Sequence, residues 1–260
     1  MRKTESNGLV YYQSEILLNL GFENFFFTRK GGVSLGELAE LNLSFRAGDD
    51  PERVQSNLDK TRRVMKAGHL VMVHQVHGAK ALLLEQGPIE PESLRNQERD
   101  AIVTRMPGIG IGVLCADCFP LLLAEPEQKI IGIAHCGRRG IISGVIENTL
   151  DEIVRLGGKV GRIIAAIGPG ICGECYQVDQ PVILEYREKF PQGEGRIWRR
   201  GPGFYLLDLK QAMVSVLADA GVAEDRIEDL GLCTLEGEDF FSHRRSLGQA
   251  GRQLSAIVIK

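Results

Sequence analysis

The chain has 260 residues, of which 43% are hydrophobic and 25% are charged, and its formal net charge is −3. These values are typical of a soluble globular protein, and the small net charge gives no overall field that would attract nucleic acid or an anionic membrane. Because we find no internal repeat and no low-complexity linker, we predict a single domain over residues 1–260.

Short apolar or alternating runs bounded by glycine or proline predict strands along most of the chain. In chain order they are LVYYQSEILL, NFFFTR, LVMVHQVH, KALLLE, AIVT, GIGIGVLCA, FPLLLAE, KIIGIAHC, RIIAAIG, GFYLLDL and LSAIVIK. Helical spacing and capping residues predict helices over DDPERVQSNLDKTRRVMKAG, IISGVIENTLDEIVRLGG, DQPVILEYREKF and LDLKQAMVSVLADAG. Several strands follow one another directly. We therefore predict an α/β protein of the α+β type, a single domain of packed mixed β-sheets flanked by helices.

Other segments give weaker information. The polar segment 85–100, EQGPIEPESLRNQERD, is expected to be a surface loop. The N-terminal residues lack a continuous apolar stretch and a small-residue cleavage site, so we expect neither a signal peptide nor a membrane span. Six cysteines in such a chain are expected to be thiols rather than a disulfide framework, which favours a cytoplasmic location.

Histidines and cysteines come in close pairs near the ends of predicted strands. Successive side chains of a strand point to opposite faces, so residues an odd number apart cannot share a face. The separations are three, three and one, so each pair is expected to offer one member to any single site. The pairs are His74 with His77, Cys115 with Cys118, and His135 with Cys136.

The leading hypothesis is a metal site formed by His77, Cys118 and His135. Two imidazoles and one thiolate leave a tetrahedral zinc ion one open position, as catalytic sites do. Residues 77 and 118 lie where a predicted strand gives way to Gly78 or approaches Pro120, which favours them over their partners. The choice within each pair stays open on this argument, and each residue taken singly is also consistent with burial in a core.

A second doublet, Cys172 and Cys175 in CGEC, suggests a four-cysteine zinc site together with CADC. The gap between these pairs far exceeds the usual spacing of roughly 15–20 residues, which disfavours that site. A redox role for CADC would need a helix N-terminus, which the following apolar run does not predict. The turn GPGICG either lets backbone amides approach an anion or simply ends a strand.

Seven ordered segments resemble the laccase-domain family, long labelled multicopper polyphenol oxidases. They are FFFTRKGGVSLGELAELNLSFRAGDDPERVQSNL, HQVHG, DAIVT, CADCFPLLL, AHCGRRG, IGPGICGECYQV and FFSHRR. Members are described as zinc-dependent purine nucleoside phosphorylases with adenosine deaminase activity, and some as peptidoglycan editing factors. The resemblance implies a single α/β domain and selects His77, Cys118 and His135 as catalytic metal ligands. Three residues depart from the usual family pattern, namely Cys136, Arg138 and His243.

The resemblance further implies phosphorolysis of adenosine, inosine and, as a further candidate, methylthioadenosine, giving the base and ribose 1-phosphate. Zinc is the implied cofactor, with copper as the alternative. The implied partners are a purine nucleoside and inorganic phosphate, with no nucleic acid or membrane, and the expected state is a monomer or weak homodimer. Arginines suit a phosphate clamp, although each is equally consistent with a surface ion pair, and a carboxylate could move protons during deamination. The candidate substrate-binding residues are Arg29, Asn42, Asp117, Arg139 and Arg244.

Three alternative functions remain. A metal-free cysteine hydrolase would use Cys118 as nucleophile and His135 or His77 as base, on an amide of a cell-wall precursor. A copper-dependent polyphenol oxidase is disfavoured, because a type 1 copper centre alone takes two histidines and the whole chain has only five. A small-molecule-binding protein without enzymatic activity is the third alternative.

Overall fold

The computed structural model describes residues 1–85, 90–192 and 197–260. The strands are β1 (Arg2–Ser6), β2 (Leu9–Gln13), β3 (Phe22–Phe27), β4 (His69–Val71), β5 (Ala81–Leu84), β6 (Ala101–Thr104), β7 (Ile109–Cys115), β8 (Phe119–Glu125), β9 (Ile130–Cys136), β10 (Ile164–Ile167), β11 (Gln177–Asp179), β12 (Ile197–Gly201), β13 (Phe204–Leu207), β14 (Ile227–Asp229) and β15 (Gln253–Ile259). The helices are α1 (Glu15–Asn19), α2 (Pro51–Met65), α3 (Pro91–Leu94), α4 (Arg138–Ser143), α5 (Val145–Arg155), α6 (Gln180–Lys189) and α7 (Leu209–Asp219). Within these ranges no helix combines the length and apolarity needed to cross a bilayer.

Two six-stranded mixed sheets form the centre of the molecule. The first has the order β1-β2-β3-β15-β7-β4, and the second has the order β14-β10-β8-β9-β6-β5. Most neighbouring strands are antiparallel, and the parallel pairs, β4 with β7, β5 with β6 and β10 with β14, lie at sheet edges. A small antiparallel sheet, β11-β13-β12, completes the strands. The predicted mixed sheets are confirmed.

Three hydrophobic clusters stack the elements into layers. The central cluster lies between the two large sheets and includes Phe26 and Ile111 of the first and Leu122 of the second. A second cluster fills the space between the second sheet and the helices that follow it, with Leu121 of β8 among its members. The third packs α2 against the outer face of the first sheet, with Val54 contacting that layer. Adjacent leucines of β8 thus enter different cores, because alternate side chains of a strand face opposite sides.

Several predicted elements match in place but not in extent. The run LVYYQSEILL forms β2 only as far as Gln13, because the Ser14 hydroxyl accepts the N–H of Leu17 at 3.1 Å and starts α1. Of the run LVMVHQVH, only Leu70 and Val71 lie in a strand, β4 (His69–Val71). Beyond it the chain pairs with a loop, since the N–H of His74 donates to the Gln97 carbonyl at 2.9 Å.

The predicted helices also differ in detail. Asp50 and Pro51 begin α2 as expected, since the Asp50 side chain accepts the N–H of Glu52. The helix ends at a left-handed Lys66 rather than at Gly68. The segment IISGVIENTLDEIVRLGG divides into α4 and α5 at Gly144, whose φ of 92° interrupts the helix.

Short or polar elements escaped prediction, namely β1, β11, β12, β14, α1 and α3. The helix α3 lies within the segment 85–100 that we expected to be a surface loop, of which residues 86–89 lie outside the described residues. These elements carry little apolar periodicity, so pairing with neighbours decides their structure.

The sheet ends place three loops together. The β8–β9 pairing sets Pro120 opposite His135 and Phe119 opposite Cys136, so the start of β8 lies beside the end of β9. The turn between β7 and β8 and the loop after β4 reach the same end. This convergence builds the site.

Candidate metal centre and pocket

The structure brings His77, Cys118 and His135 together from three different segments. His135 is buried near the end of β9, Cys118 lies in the turn before β8, and His77 lies in the loop after β4. Their metal-binding atoms all lie within 4.8 Å of one another. The two imidazole rings have centroids 4.8 Å apart and meet edge to face at 74°. The arrangement can hold one metal ion with three side chains.

Asp100 anchors two of these three residues from behind. The carboxylate, fully buried, lies 2.8 Å from Nδ1 of His135. It also accepts the backbone N–H groups of Val76, His77 and Gly78 at 3.1, 3.0 and 2.7 Å. A carboxylate on Nδ1 fixes the imidazole tautomer that leaves Nε2 free to bind a metal.

The charge on Asp100 follows from these contacts. Burial raises the pKa of Asp100, but the hydrogen bonds from His135 and the backbone outweigh it and lower the pKa below its ordinary value. Asp100 is therefore ionised at neutral pH. The sequence placed Asp100 at the end of the predicted surface loop 85–100 and at the start of DAIVT, and the role of this residue was not predicted.

Cys118 and His135 perturb each other strongly. Burial raises the pKa of the Cys118 thiol, but the charge of His135 and hydrogen bonds from both histidines lower it to about 6. Burial lowers the pKa of His135, yet Cys118 and Asp100 raise it to about 9. The thiolate that a metal requires is thus the favoured form of Cys118 at neutral pH.

The backbone around the trio is constrained. His77 and Asp117 both have left-handed φ values, 59° and 90°. Such conformations cost about 1–3 kcal/mol each and persist where the surroundings enforce them. Here Asp100 binds the N–H of His77, and Gly137 permits close packing, since a Cβ on Gly137 would lie 2.9 Å from both Cys118 Sγ and His77 Cδ2.

A pocket of about 490 Å³ opens onto the trio. Four of the five histidines of the chain line it, as do four arginines. The arginines are Arg46, Arg95, Arg244 and Arg252. Phe45, 40% exposed, also lines the pocket, with the Arg95 guanidinium 5.3 Å from its ring centroid. The pocket therefore combines a wall of potential metal ligands, positive charge and an accessible aromatic face.

Of the predicted substrate-binding residues, Asp117 and Arg244 line this pocket. The Asp117 carboxylate accepts the Thr234 hydroxyl and the N–H of Arg244, each at 2.7 Å. Asn42 is fully buried and does not line the pocket. Its Oδ1 accepts the N–H of Ser44 and of Arg252 at 3.1 and 3.0 Å, so it supports two segments of the pocket wall.

Arg29 and Arg139 lie outside the pocket, against the expectation from sequence. The Arg29 Nε donates to the Ala39 carbonyl at 2.7 Å, and the guanidinium packs on the Phe241 ring with 4.6 Å to its centroid. Arg139 is exposed on α4. The pocket is lined instead by Arg46, Arg95 and Arg252, which were not among the residues predicted to bind substrate.

Strand parity explains one pair and not the others. On β9, His135 faces the site while Cys136 enters the core behind the second sheet. Cys118 and His77 lie in loops rather than strands, so parity does not govern them. Cys115 is buried between the two sheets, and His74 lines the pocket without joining the trio.

The sequence and the fold are similar to those of known proteins. The family model described as multi-copper polyphenol oxidoreductase laccase matches residues 23–260. The chain belongs to this family. That membership confirms the resemblance drawn from the seven ordered motifs.

Relatives within this family carry functional names. A Deinococcus radiodurans protein named purine nucleoside phosphorylase is 38% identical over 241 residues, covering 92% of this chain and 90% of its own. A protein of an unknown prokaryotic organism, named adenosine deaminase RL5, is 32% identical over 251 residues, covering 92% and 95%. The crystal structure of the hypothetical protein YfiH from Bacillus licheniformis has a TM-score of 0.91 and 29% identity, covering 98% of each chain. This likeness confirms the predicted fold class.

Proposed function

We propose that this protein is a zinc-dependent purine nucleoside phosphorylase with adenosine deaminase side activity. Its substrates would be adenosine, inosine and, as a further candidate, methylthioadenosine, each cleaved with inorganic phosphate to the base and ribose 1-phosphate. The observation that carries the proposal is the His77, Cys118 and His135 set opening onto a pocket lined by four arginines. The names of the relatives support the same conclusion.

The side chains of the trio fit zinc. Two imidazoles and one thiolate match the nitrogen and sulfur ligands that zinc prefers, and Asp100 gives His135 the outer hydrogen bond typical of such sites. When bound, zinc would supply a Lewis-acid centre of about one net positive charge with an open position for substrate. Copper would also bind this donor set, since it outcompetes zinc at most nitrogen and sulfur sites.

The pocket fits the size and charge of the proposed substrates. Ligand pockets typically measure about 300–1,000 Å³, and this one, at about 490 Å³, lies within that range. Arg244 and Arg252 line the pocket, and guanidinium suits phosphate oxygens because it donates paired hydrogen bonds. The exposed ring of Phe45 would give the purine a stacking surface.

The reaction places specific demands on these residues. A phosphate oxygen forms a bond to C1′ while the bond from C1′ to the purine nitrogen breaks, and its electron pair leaves with the base. The arginines would orient the phosphate and offset its charge as it approaches. Their fixed position depends on Asn42 and Asp117, which hold the backbone N–H groups of Arg252 and Arg244.

Asp117 is the proposed proton carrier for the deaminase side activity. It is the one carboxylate among the described residues that line the pocket. Each of its oxygens accepts one hydrogen bond and retains a further acceptor position. Exchange of a proton with the purine ring is therefore compatible with its place in the wall.

The decisive assay incubates reduced, zinc-loaded protein with inosine, with and without phosphate, and measures hypoxanthine and ribose 1-phosphate. We expect hypoxanthine only when phosphate is present. Cys118→Ala should abolish its release, whereas Cys136→Ala, which removes a thiol from the core side of β9, should retain it. Release without phosphate, or full activity in Cys118→Ala, would contradict the proposal.

A matched pair of arginine variants tests the phosphate site. Arg244→Gln removes a pocket cation, and a charged hydrogen bond is worth about 1.5–3 kcal/mol, so we expect the KM for phosphate to rise about tenfold or more. Arg139→Gln removes an exposed cation outside the pocket and should leave this KM unchanged. Equal effects of both substitutions would count against the arginine clamp.

The Cys118–His135–Asp100 arrangement also supports a metal-free cysteine hydrolase as the second candidate. A thiolate beside a protonated imidazole that a carboxylate orients is the usual arrangement of a nucleophilic cysteine. Chelation separates the two functions, because the hydrolase would keep full activity on an amide substrate after zinc removal and the phosphorylase would lose its own. Phosphate-dependent turnover would also exclude a purely binding role.

Multicopper oxidase chemistry receives no support from the described residues. All five histidines lie within them, yet only His77 and His135 belong to a group of potential metal ligands. A trinuclear copper cluster needs several more histidine ligands. The family description therefore does not carry an oxidase proposal for this chain.

A further inference from the structure

A second group of potential metal ligands lies apart from the trio. It consists of Cys172, Cys175, Cys233 and Glu236, whose ligand atoms all lie within 4.8 Å of one another. The only metal site predicted for CGEC from the sequence was a four-cysteine site shared with CADC. The fold instead sets CGEC beside the segment Cys-Thr-Leu-Glu at residues 233–236.

The first half of this group is a tight turn. The carbonyl of Cys172 accepts the N–H of Cys175 at 3.1 Å and the N–H of Tyr176 at 3.0 Å. These bonds bring the side chains at the first and fourth positions of the turn close together. Two cysteines spaced this way are the usual ligand pair of structural zinc sites.

The second half repeats the same spacing. The carbonyl of Cys233 accepts the N–H of Gly237 at 3.0 Å, which folds Glu236 back toward Cys233. The Arg245 guanidinium fixes this turn by donating to the carbonyls of Thr234 and Gly237 at 2.9 and 3.2 Å. Both turns therefore present ligands at positions i and i+3.

Backbone contacts join the two turns. Gly170 and Cys233 form a parallel bridge, in which the carbonyl of Gly170 accepts the N–H of Thr234 at 3.0 Å. The N–H of Cys172 also points at Cys233 Sγ, 3.4 Å away. Hydrogen bonds from backbone amides to ligand atoms are typical of the outer shell of metal sites.

We propose that Cys172, Cys175, Cys233 and Glu236 form a second, structural zinc site. Three thiolates and one carboxylate complete a tetrahedron without an open position, which is how structural rather than catalytic zinc is held. In such a tetrahedron with zinc–sulfur bonds of about 2.3 Å the sulfur atoms lie about 3.8 Å apart. The ligand atoms here lie within 4.8 Å of one another, so small side-chain movements would bring the sulfur atoms to the spacing that zinc requires. Soft thiolate ligands also disfavour magnesium and calcium.

This second site would brace the pocket from behind. Ile171, next to Cys172, lines the pocket, and its N–H donates to the carbonyl of Asp117 at 2.9 Å. Thr234, next to Cys233, donates its hydroxyl to the Asp117 carboxylate. Two of the three segments that hold Asp117, all but that of Arg244, thus continue directly into the proposed zinc ligands. This inference stands whichever reaction the pocket performs.

Metal content tests the proposal directly. Protein purified under reducing conditions should contain about two zinc ions per chain, and Cys118→Ala about one. Adding Cys175→Ala to Cys118→Ala should remove the remaining ion. Glu236→Gln in the Cys118→Ala background should lower zinc occupancy, whereas Glu238→Gln, an exposed neighbour on the same loop, should leave it unchanged.

A cobalt titration avoids any change in the proposed ligands. Cobalt added to metal-free Cys118→Ala should give the intense thiolate-to-cobalt charge-transfer absorption of a tetrahedral site at one ion per chain. Circular dichroism verifies that each variant is folded. The proposal is overturned by zinc-free Cys118→Ala protein, by absence of that absorption, or by a disulfide among these cysteines in freshly reduced protein.

Discussion

Replacing Asp100 with asparagine tests how the fold prepares the metal centre. The carboxylate accepts four N–H groups, three from the backbone of residues 76–78 and one from Nδ1 of His135. An asparagine side chain offers one acceptor oxygen and one NH₂ group in the same space. Two of the four donors would therefore face another donor, or His135 would change its tautomer and place a proton on Nε2.

The magnitude follows from these contacts. Each buried donor that loses its partner costs about 1–3 kcal/mol, so two of them should lower the free energy of unfolding by about 2–6 kcal/mol. Loss of an outer hydrogen bond on a ligating histidine typically weakens metal binding by 10- to 100-fold. We expect zinc affinity in Asp100→Asn to fall within that range.

Two measurements check this expectation. Urea unfolding of metal-free protein gives the stability change, and competition with a chromophoric chelator gives the zinc affinity. Asp151→Asn, which changes an exposed aspartate of α5, should match the wild type in both. The reasoning would be refuted if folded Asp100→Asn bound zinc within about twofold of the wild-type affinity.

Three further outcomes are expected. In metal-free protein, alkylation of Cys118 by iodoacetamide should be half-maximal near pH 6, because the thiolate is lost only as the pH falls through the lowered pKa of about 6. His135→Ala should shift this midpoint upward, and a wild-type midpoint above about pH 8 would contradict the expectation. Gly137→Ala should reduce zinc content, since the added Cβ would lie 2.9 Å from Cys118 Sγ. Gly161→Ala should not reduce it, because no atom lies within 4 Å of a Cβ at that position, and equal zinc content in both variants would count against this packing argument. Asn57→Ala should lower the melting temperature, because this fully buried amide donates to two carbonyls and a hydroxyl and accepts one N–H. Each lost partner costs about 1–3 kcal/mol, and an unchanged melting temperature would disprove this role.

The strongly apolar elements could be predicted from the chain. β6 and β8 follow the runs AIVT and FPLLLAE residue for residue, because a fully buried strand must be apolar on both faces. Asp50 and Pro51 likewise indicated the start of α2. The weakly patterned strands β1, β11 and β14 could not be predicted in this way, because their hydrogen bonds with neighbours define them.

The site was only partly predictable for a related reason. His77, Cys118 and His135 carry a chemical signature that residue type and family resemblance suffice to suggest. Arg252 and Asp100 carry none, since an arginine or aspartate is ordinary at any surface or strand end. Their roles arise from contacts with residues far away in the chain, such as that of Asp100 with His135.

The sequence by itself determined the residue types of the metal trio, the mixed α/β class and the shortage of histidines for an oxidase. These properties depend on local pattern and composition, which the chain states directly. Only the tertiary structure decided which arginines face the pocket and why Arg29 and Arg139 do not. It also decided that CGEC meets the turn containing Cys233 rather than CADC. Distances between segments far apart in the chain follow from how the sheets pack, and no local pattern encodes that packing.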